Sequence, residues 1–207
     1  MKQKEREFRK RIQELEREEY PEFKDGKPFY IGEDDYAHHA PSWHFYTRLL
    51  TEGIVNDIRE NKRKVLSVGA GKAHLERLLA NRLRISIEQL VLTDRVPIMP
   101  EGFEQLLFDM YEEWPEIKDS FDYVVFPESV IPNRFKTDEE KRTGLYHILE
   151  NSLRVLKPNG QIRMDAHSQV GGIIGIDTVF ERLKDVNPQL EISYNSNLVV
   201  VKYNIRK

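Results

Sequence analysis

The sequence of 207 residues contains no cysteine, and this absence removes several classes of protein. Without thiols there is no disulfide framework, no thiolate metal site and no cysteine nucleophile. No uninterrupted apolar run approaches the roughly 18 residues of a membrane span. The first six residues also lead into no apolar signal segment. We therefore expect a soluble protein of the cytoplasm.

The chain also has little net charge, because 32 Lys and Arg residues are balanced by 35 Asp and Glu residues. The chain thus lacks the basic field that draws proteins to nucleic acid. Residues 1–64 carry 14 positive and 14 negative side chains, whereas residues 65–207 carry 18 positive and 21 negative ones. This distribution predicts an ordinary domain over residues 64–207 after a charge-dense extension over residues 1–63.

The extension divides into three parts. Residues 2–19 favour a mostly solvated helix that lies on the body or on a partner subunit, so a homodimer or partner contact through residues 1–20 is one expectation. Prolines and glycines make residues 20–35 a linker or covering loop. Residues 42–60 show a helical period and are predicted to pack as one helix on the main sheet. The thin apolar stripe of the first helix consists of Phe8, Ile12 and Leu15.

From Lys64 onward, short β-rich runs alternate with helix-like segments. Such alternation predicts a mostly parallel sheet with helices on both faces. Residues 190–194 and 198–203 flank Asn195-Ser196-Asn197, which predicts a closing antiparallel hairpin. The earlier runs are Val65–Val68, Leu75–Leu83, Leu90–Thr93, Leu106–Phe108, Tyr123–Phe126, Leu145–Leu156, Gln161–Met164 and Val179–Leu183.

A glycine-rich turn, Gly69-Ala70-Gly71, follows the first predicted strand. Glycines there allow a sharp turn and the close approach of a ligand to main-chain N–H groups at a helix start. A dinucleotide fingerprint would have glycine at the position of His74, and a P-loop would have it at Leu66. These differences disfavour both motifs, and a plain strand-to-helix turn remains the alternative.

Two acidic residues follow the next strands. Asp94 ends the second predicted strand, where a carboxylate can accept the two hydroxyls of a ribose. Asp109 ends the third predicted strand, where a carboxylate can meet an adenine amino group. Further along, the segment Phe121–Glu128 gives a fourth strand, and residues 153–162 give a helix, a turn and a fifth strand.

In order and spacing, these motifs resemble those of the class I S-adenosylmethionine-dependent methyltransferases, over residues 64–203. The matching segments are Val-Leu-x-Val-Gly-x-Gly, an acid after strand two, Phe-Asp-x-Val-Val and Leu-Arg-x-Leu-Lys-Pro-x-Gly. The resemblance implies a doubly wound, seven-stranded, Rossmann-like sheet whose last strand is antiparallel. It also implies S-adenosylmethionine as the cofactor, held across the carboxyl ends of the first strands.

The resemblance assigns roles to residues of this chain. It places the turn Gly69–Gly71 at the methionine portion of the cofactor, Asp94 at the ribose, and Asp109 with the Met110 backbone at the adenine. Residues 126–128, beginning with Phe126, would line the side where the methyl group is transferred. The chain departs from the family pattern at Ser67, where an acidic residue that organises the methionine amino end is usual, and at Ala73, where a third glycine is usual.

Methyl transfer needs a general base only if the acceptor loses a proton during attack. Glu128 after strand four and His167 after strand five are the candidates, with ordinary surface polar residues as the alternative for each. The histidine-rich segment 36–45 is expected to act as a lid over the substrate pocket or to pack as a plain helix. Its histidines lack a firm ligand spacing, so no metal site is predicted.

The sequence therefore predicts a class I methyltransferase acting on a small molecule rather than on nucleic acid, since the domain has no basic stripe. A non-catalytic relative that uses the same sheet for binding or assembly is the first alternative, because Ser67 is neutral. A nucleotide-sugar or nicotinamide enzyme on a similar sheet is the second.

Overall fold

The computed structural model describes residues 2–19, 49–71, 73–95, 97, 101–127, 135–165, 173–195 and 198–204. A seven-stranded sheet lies at the centre of these residues, in the order β3-β2-β1-β4-β5-β7-β6. β7 runs antiparallel to β5 and β6, and the other pairs are parallel. This topology confirms the predicted fold class. The strands are β1 Val65–Val68, β2 Leu90–Asp94, β3 Glu104–Leu107, β4 Phe121–Phe126, β5 Leu156–Asp165, β6 Leu190–Asn195 and β7 Leu198–Tyr203.

Helices cover both faces of the sheet. The described helices are α1 Lys2–Glu19, α2 Glu52–Glu60, α3 His74–Asn81, α4 Asp138–Val155 and α5 Ile176–Val186, with a short 3-10 turn at Ile87–Gln89. α4 begins at a capping box in which Thr137 and Glu140 satisfy each other's main-chain N–H groups. None of the helices in these described ranges is long and apolar enough to cross a membrane.

Alternation along β1 assigns its side chains to the two faces. Leu66 and Val68 belong to the hydrophobic core shared with α4 and α5. Val65 belongs to the second core, which includes side chains of α1, α2 and α3. Because successive strand residues point to opposite faces, Ser67 lies on the face covered by α1, α2 and α3. This position places a polar side chain beneath α3.

The expected continuous helix over residues 42–60 is wrong in its described part. α2 begins only at Glu52, after a bend at Leu50 and an extended Thr51. The main-chain carbonyl of Leu49 accepts a hydrogen bond from Nε of the buried Arg163 on β5. This contact joins the chain to β5 at the point where the helix is interrupted. Residues 20–48 lie outside the described residues.

The charged first helix packs on the body. Its side chains Phe8 and Ile12 are buried in the core on the α3 face. At its end, the Glu19 carboxylate accepts hydrogen bonds from Asn81 Nδ2 at 2.8 Å and Arg82 Nε at 2.7 Å. The apolar stripe of the extension therefore completes the core of one sheet face.

We predict that Ile12→Ala lowers the free energy of unfolding by about 2–4 kcal/mol, because it removes a buried side chain and leaves a cavity. The exposed Glu14 offers a control on the same helix, and Glu14→Ala should change stability by less than about 0.5 kcal/mol. Urea denaturation of both variants measures the difference. Equal effects would contradict the packing of α1 on the body.

Candidate functional site

The sheet order places a crevice beside β1. β1 lies between β2 and β4, and the chain order reverses between β1 and β4. In open α/β sheets, ligands bind outside the carboxyl ends of the strands at such a switch point. The turn after β1 and the residues that follow β2, β3 and β4 lie at this edge.

The turn after β1 is tied to the end of β2 by three hydrogen bonds. The N–H groups of Gly69 and Ala70 both donate to the Thr93 carbonyl, each at 2.9 Å. The N–H of Gly71 donates to Oδ2 of Asp94 at 2.8 Å. Gly69 and Gly71 have φ of +70° and +53°, conformations that glycine adopts without steric cost. The glycine turn and the Asp94 carboxylate therefore lie together at the carboxyl edge of the sheet.

Ala73 continues the left-handed conformation of the turn. It is the N-cap of α3, with φ of 55° and ψ of 38°. A non-glycine residue in this region costs about 1 kcal/mol. The chain thus keeps the backbone shape that the usual third glycine would provide, at a small cost in stability.

The loop after β3 contacts the same turn. β3 ends at Leu107, so Asp109 lies two residues beyond the strand and not at its end as expected. Oδ1 of Asp109 accepts a hydrogen bond from the Tyr111 N–H at 2.9 Å. A Cβ on Gly69 would lie 2.6 Å from Cε of Met110. Met110 therefore lies over Gly69, and any side chain at that position would require the end of the Met110 side chain to move.

The remaining predicted residues lie elsewhere or outside the described residues. Ala70 is buried within the core on the α3 face. The Phe126 side chain is fully buried in the opposite core, which it shares with α4. Glu128 and His167 lie outside the described residues. Their assignment as bases therefore stays a prediction.

The structure adds a residue that the sequence analysis missed. Glu76 in the first turn of α3 accepts a hydrogen bond at Oε1 from the hydroxyl of Ser67. Both side chains are buried, each with 1% of its surface exposed. Oε2 of Glu76 has no hydrogen-bond partner among the described residues. A carboxyl group therefore lies beside the position where the family usually has an acidic residue.

Burial changes the acidity of this group. Desolvation raises the pKa of Glu76 to about 7, although the Ser67 hydrogen bond acts in the opposite direction. The carboxyl is consequently divided between its protonated and ionised forms near neutral pH. A cation or a hydrogen-bond donor placed at Oε2 would favour the ionised form.

The sequence contains one indication that Glu76 is buried. On a helix, the neighbours of Glu76 at three and four residues' distance include Ala73, Leu79 and Ala80. An acidic residue among apolar neighbours is at the border of the buried face rather than in the solvent. The sequence alone does not reveal that the carboxyl contacts Ser67, because that contact depends on how α3 lies over β1.

A second feature of this edge is a cleft of about 280 Å³ between the loop after β3 and the start of α4. Tyr111 and Phe135 meet edge to face, with ring centroids 5.2 Å apart. A Cβ on Gly144 would lie 2.8 Å from the Phe135 ring, so a larger residue there would displace the ring. The cleft offers an aromatic wall with a polar rim. It is lined by Tyr111, Phe135, Glu139, Glu140, Thr143, Gly144 and His147.

Comparison with known proteins yields similarity in structure only. No protein-family model matches the chain, and no curated protein matches its sequence. A Listeria monocytogenes protein assigned to the class I S-adenosylmethionine-dependent methyltransferases is 14% identical with a TM-score of 0.53, covering 97% of this chain and 69% of its own. A methyltransferase of Podospora anserina bound to S-adenosylhomocysteine is 12% identical with a TM-score of 0.52, covering 94% of this chain and 88% of its own. The chain has the class I methyltransferase fold.

We predict that Gly69→Ala destabilises the protein by about 2 kcal/mol, through strain at positive φ and the clash with Met110. In a Met110→Ala background only the conformational strain remains, so the same substitution should cost about 1 kcal/mol less. A double-mutant cycle by urea denaturation measures this coupling. An equal cost in both backgrounds would show that Met110 does not press on the turn.

We also predict a pH-dependent effect of Glu76→Gln. The pKa of Glu76 is about 7 in the folded protein, against 4.5 for an ordinary glutamate. Between these pH values the unfolded chain releases a proton that the folded protein retains, so the free energy of unfolding falls as the pH rises. The variant should therefore become more stable relative to the wild type by up to about 3 kcal/mol between pH 4.5 and 8. Urea denaturation across this range measures the difference, and parallel curves would contradict it.

Proposed function

We propose that this chain, which has the fold of the class I methyltransferases, binds S-adenosylmethionine at the turn after β1 and transfers a methyl group to a small-molecule acceptor. The hydrogen bond from the Gly71 N–H to the Asp94 carboxylate carries the proposal. It joins a glycine turn to an acidic strand end at the switch point of the sheet, where ligands of open α/β sheets bind.

The residues present suit this cofactor. The left-handed Gly69 and Gly71 shape the main chain of the turn at the edge of the sheet, where the methionine portion would approach. Asp94 is oriented by the turn and would accept the ribose hydroxyls. Asp109 and the Met110 backbone would contact the adenine, in a loop held by the hydrogen bond from Trp114 Nε1 to the Met110 carbonyl at 3.1 Å.

Methyl transfer from this cofactor requires few catalytic groups from the protein. When bound, S-adenosylmethionine supplies a methyl group that is already activated on a sulfonium. The chain's contribution is to hold the acceptor in line with that group and to exclude water. If the acceptor must lose a proton, Glu128 or His167 would accept it.

The cleft beside Tyr111 is the proposed acceptor site. Tyr111 follows β3 and Phe135 precedes α4, which follows β4 along the chain, so the cleft opens near the carboxyl ends of these strands. Its volume of about 280 Å³ suits a small molecule. The domain's 18 positive and 21 negative residues would not attract a polyanion.

Calorimetry with S-adenosylmethionine and S-adenosylhomocysteine tests cofactor binding, for which we expect dissociation constants of the order of micromolar. Asp94→Ala should weaken both ligands at least about ten-fold, because it removes the ribose acceptor and frees the Gly71 N–H. Asp119→Ala is the matched control, since Asp119 pairs with Lys64 away from the carboxyl edge and should leave binding unchanged.

Failure of the wild-type protein to bind either ligand would refute the proposal. Unchanged affinity in Asp94→Ala would refute the assignment of that residue. Binding without methylated product across a broad acceptor panel would instead favour the non-catalytic module.

A further inference from the structure

The buried pair Ser67 and Glu76 leaves one oxygen without a partner. The Ser67 hydroxyl donates to Oε1 of Glu76, while Oε2 lacks a hydrogen bond among the described residues. A buried carboxyl with an unsatisfied oxygen costs free energy relative to an apolar residue of the same shape. Oε2 therefore lies ready to accept a hydrogen bond from a donor that is not among the described residues.

The position of the carboxyl identifies where that group would lie. Glu76 is the third residue of α3, which begins directly after the turn, and Ser67 is the next-to-last residue of β1. The carboxyl therefore lies between the end of the strand and the first turn of the helix. This is the inner side of the turn at which the cofactor is proposed to bind.

We infer that Glu76 is the anion that receives the ammonium group of the cofactor's methionine portion, with Ser67 as its positioning residue. The inference rests on the proposed function. The negative charge then comes from Glu76 in the first turn of α3. Ser67 occupies the strand position that usually carries the acidic residue, and its hydroxyl orients the Glu76 carboxylate.

Other charged and titratable groups on this sheet face have their own contacts. Arg163 lies two strands from Ser67, since Ser67 and Arg163 both pair with Val125, which separates their Cα atoms by about 10 Å. Its Nε donates to the Leu49 carbonyl. Arg163 therefore does not supply the partner of Glu76 Oε2.

The remaining groups are on β4, α2 and α3. The Tyr123 hydroxyl donates to Oδ2 of Asp57 at 2.6 Å, and Asp57 also pairs with Arg63 at 3.2 Å. His74 shares the first turn of α3 with Glu76 and is buried. His74 is unchanged in every variant below, so its contribution cancels in the comparisons.

The first experiment compares two ligands by calorimetry at pH 7.5. S-adenosylhomocysteine carries the amino-acid portion, and 5′-methylthioadenosine has the same nucleoside without it. Glu76→Gln keeps the shape of the side chain but removes its charge. We expect affinity for S-adenosylhomocysteine to fall at least about ten-fold and affinity for 5′-methylthioadenosine to change less than about two-fold.

Glu88→Gln provides the matched control, because Glu88 is exposed and precedes β2 at the opposite edge of the sheet. It should leave both affinities unchanged. An equal loss for the two ligands, or no loss for S-adenosylhomocysteine, would overturn the inference while leaving the proposed function intact. If the wild type binds neither ligand, the proposed function itself fails.

A second measurement needs no variant and so does not depend on its folding. Because burial raises the pKa of Glu76 to about 7, an arriving ammonium should displace a proton. Calorimetry of S-adenosylhomocysteine in buffers of different ionisation enthalpy should show release of about half a proton at pH 7. Affinity should also rise about five-fold from pH 6 to pH 7. In the wild type, no proton release together with an affinity that does not change with pH would overturn the inference. Glu76→Gln lacks the titrating carboxyl, so this variant should show no proton release and a constant affinity.

Discussion

The hydrogen bonds from the turn after β1 to the end of β2 hold the candidate site together. The N–H groups of Gly69 and Ala70 meet the Thr93 carbonyl, and the Gly71 N–H meets the Asp94 carboxylate. They bring a strand end, a helix start and an acidic side chain to one edge of the sheet. The loop after β3 reaches the same point, where the end of the Met110 side chain lies over Gly69. A cofactor at this edge would therefore meet a preformed main-chain surface.

The charged extension and the sheet share one hydrophobic core. Phe8 and Ile12 of α1 are buried with side chains of β1 and α3, and the buried guanidinium of Arg163 holds the main chain at Leu49. The charged residues of α1 thus lie on the solvent side of a helix whose narrow apolar face, with Phe8 and Ile12, is covered. This packing supports α3, and with it the turn that precedes α3.

The pair Ser67 and Glu76 changes how the departure from the family pattern is interpreted. A neutral hydroxyl at Ser67 offers no counter-charge for an ammonium group, which favours a non-catalytic relative. The carboxyl of Glu76 lies against that hydroxyl, and under the inference above it would supply the charge from a different element. Ser67 and Glu76, nine residues apart, must therefore be considered together before the absence of an acidic residue at Ser67 is interpreted as the loss of cofactor binding.

The alternation of strands and helices, the mostly parallel sheet and the closing hairpin followed from the sequence, and the resemblance to the class I methyltransferases implied seven strands. Periodicity and turn residues are local, and the carboxyl ends of parallel strands necessarily share an edge. The break before α2 and the contact of Glu76 with Ser67 were decided by tertiary structure. Each involves a hydrogen bond between a buried polar side chain and another element of the fold. The partner of such a side chain is set by how the elements pack, which local sequence does not specify.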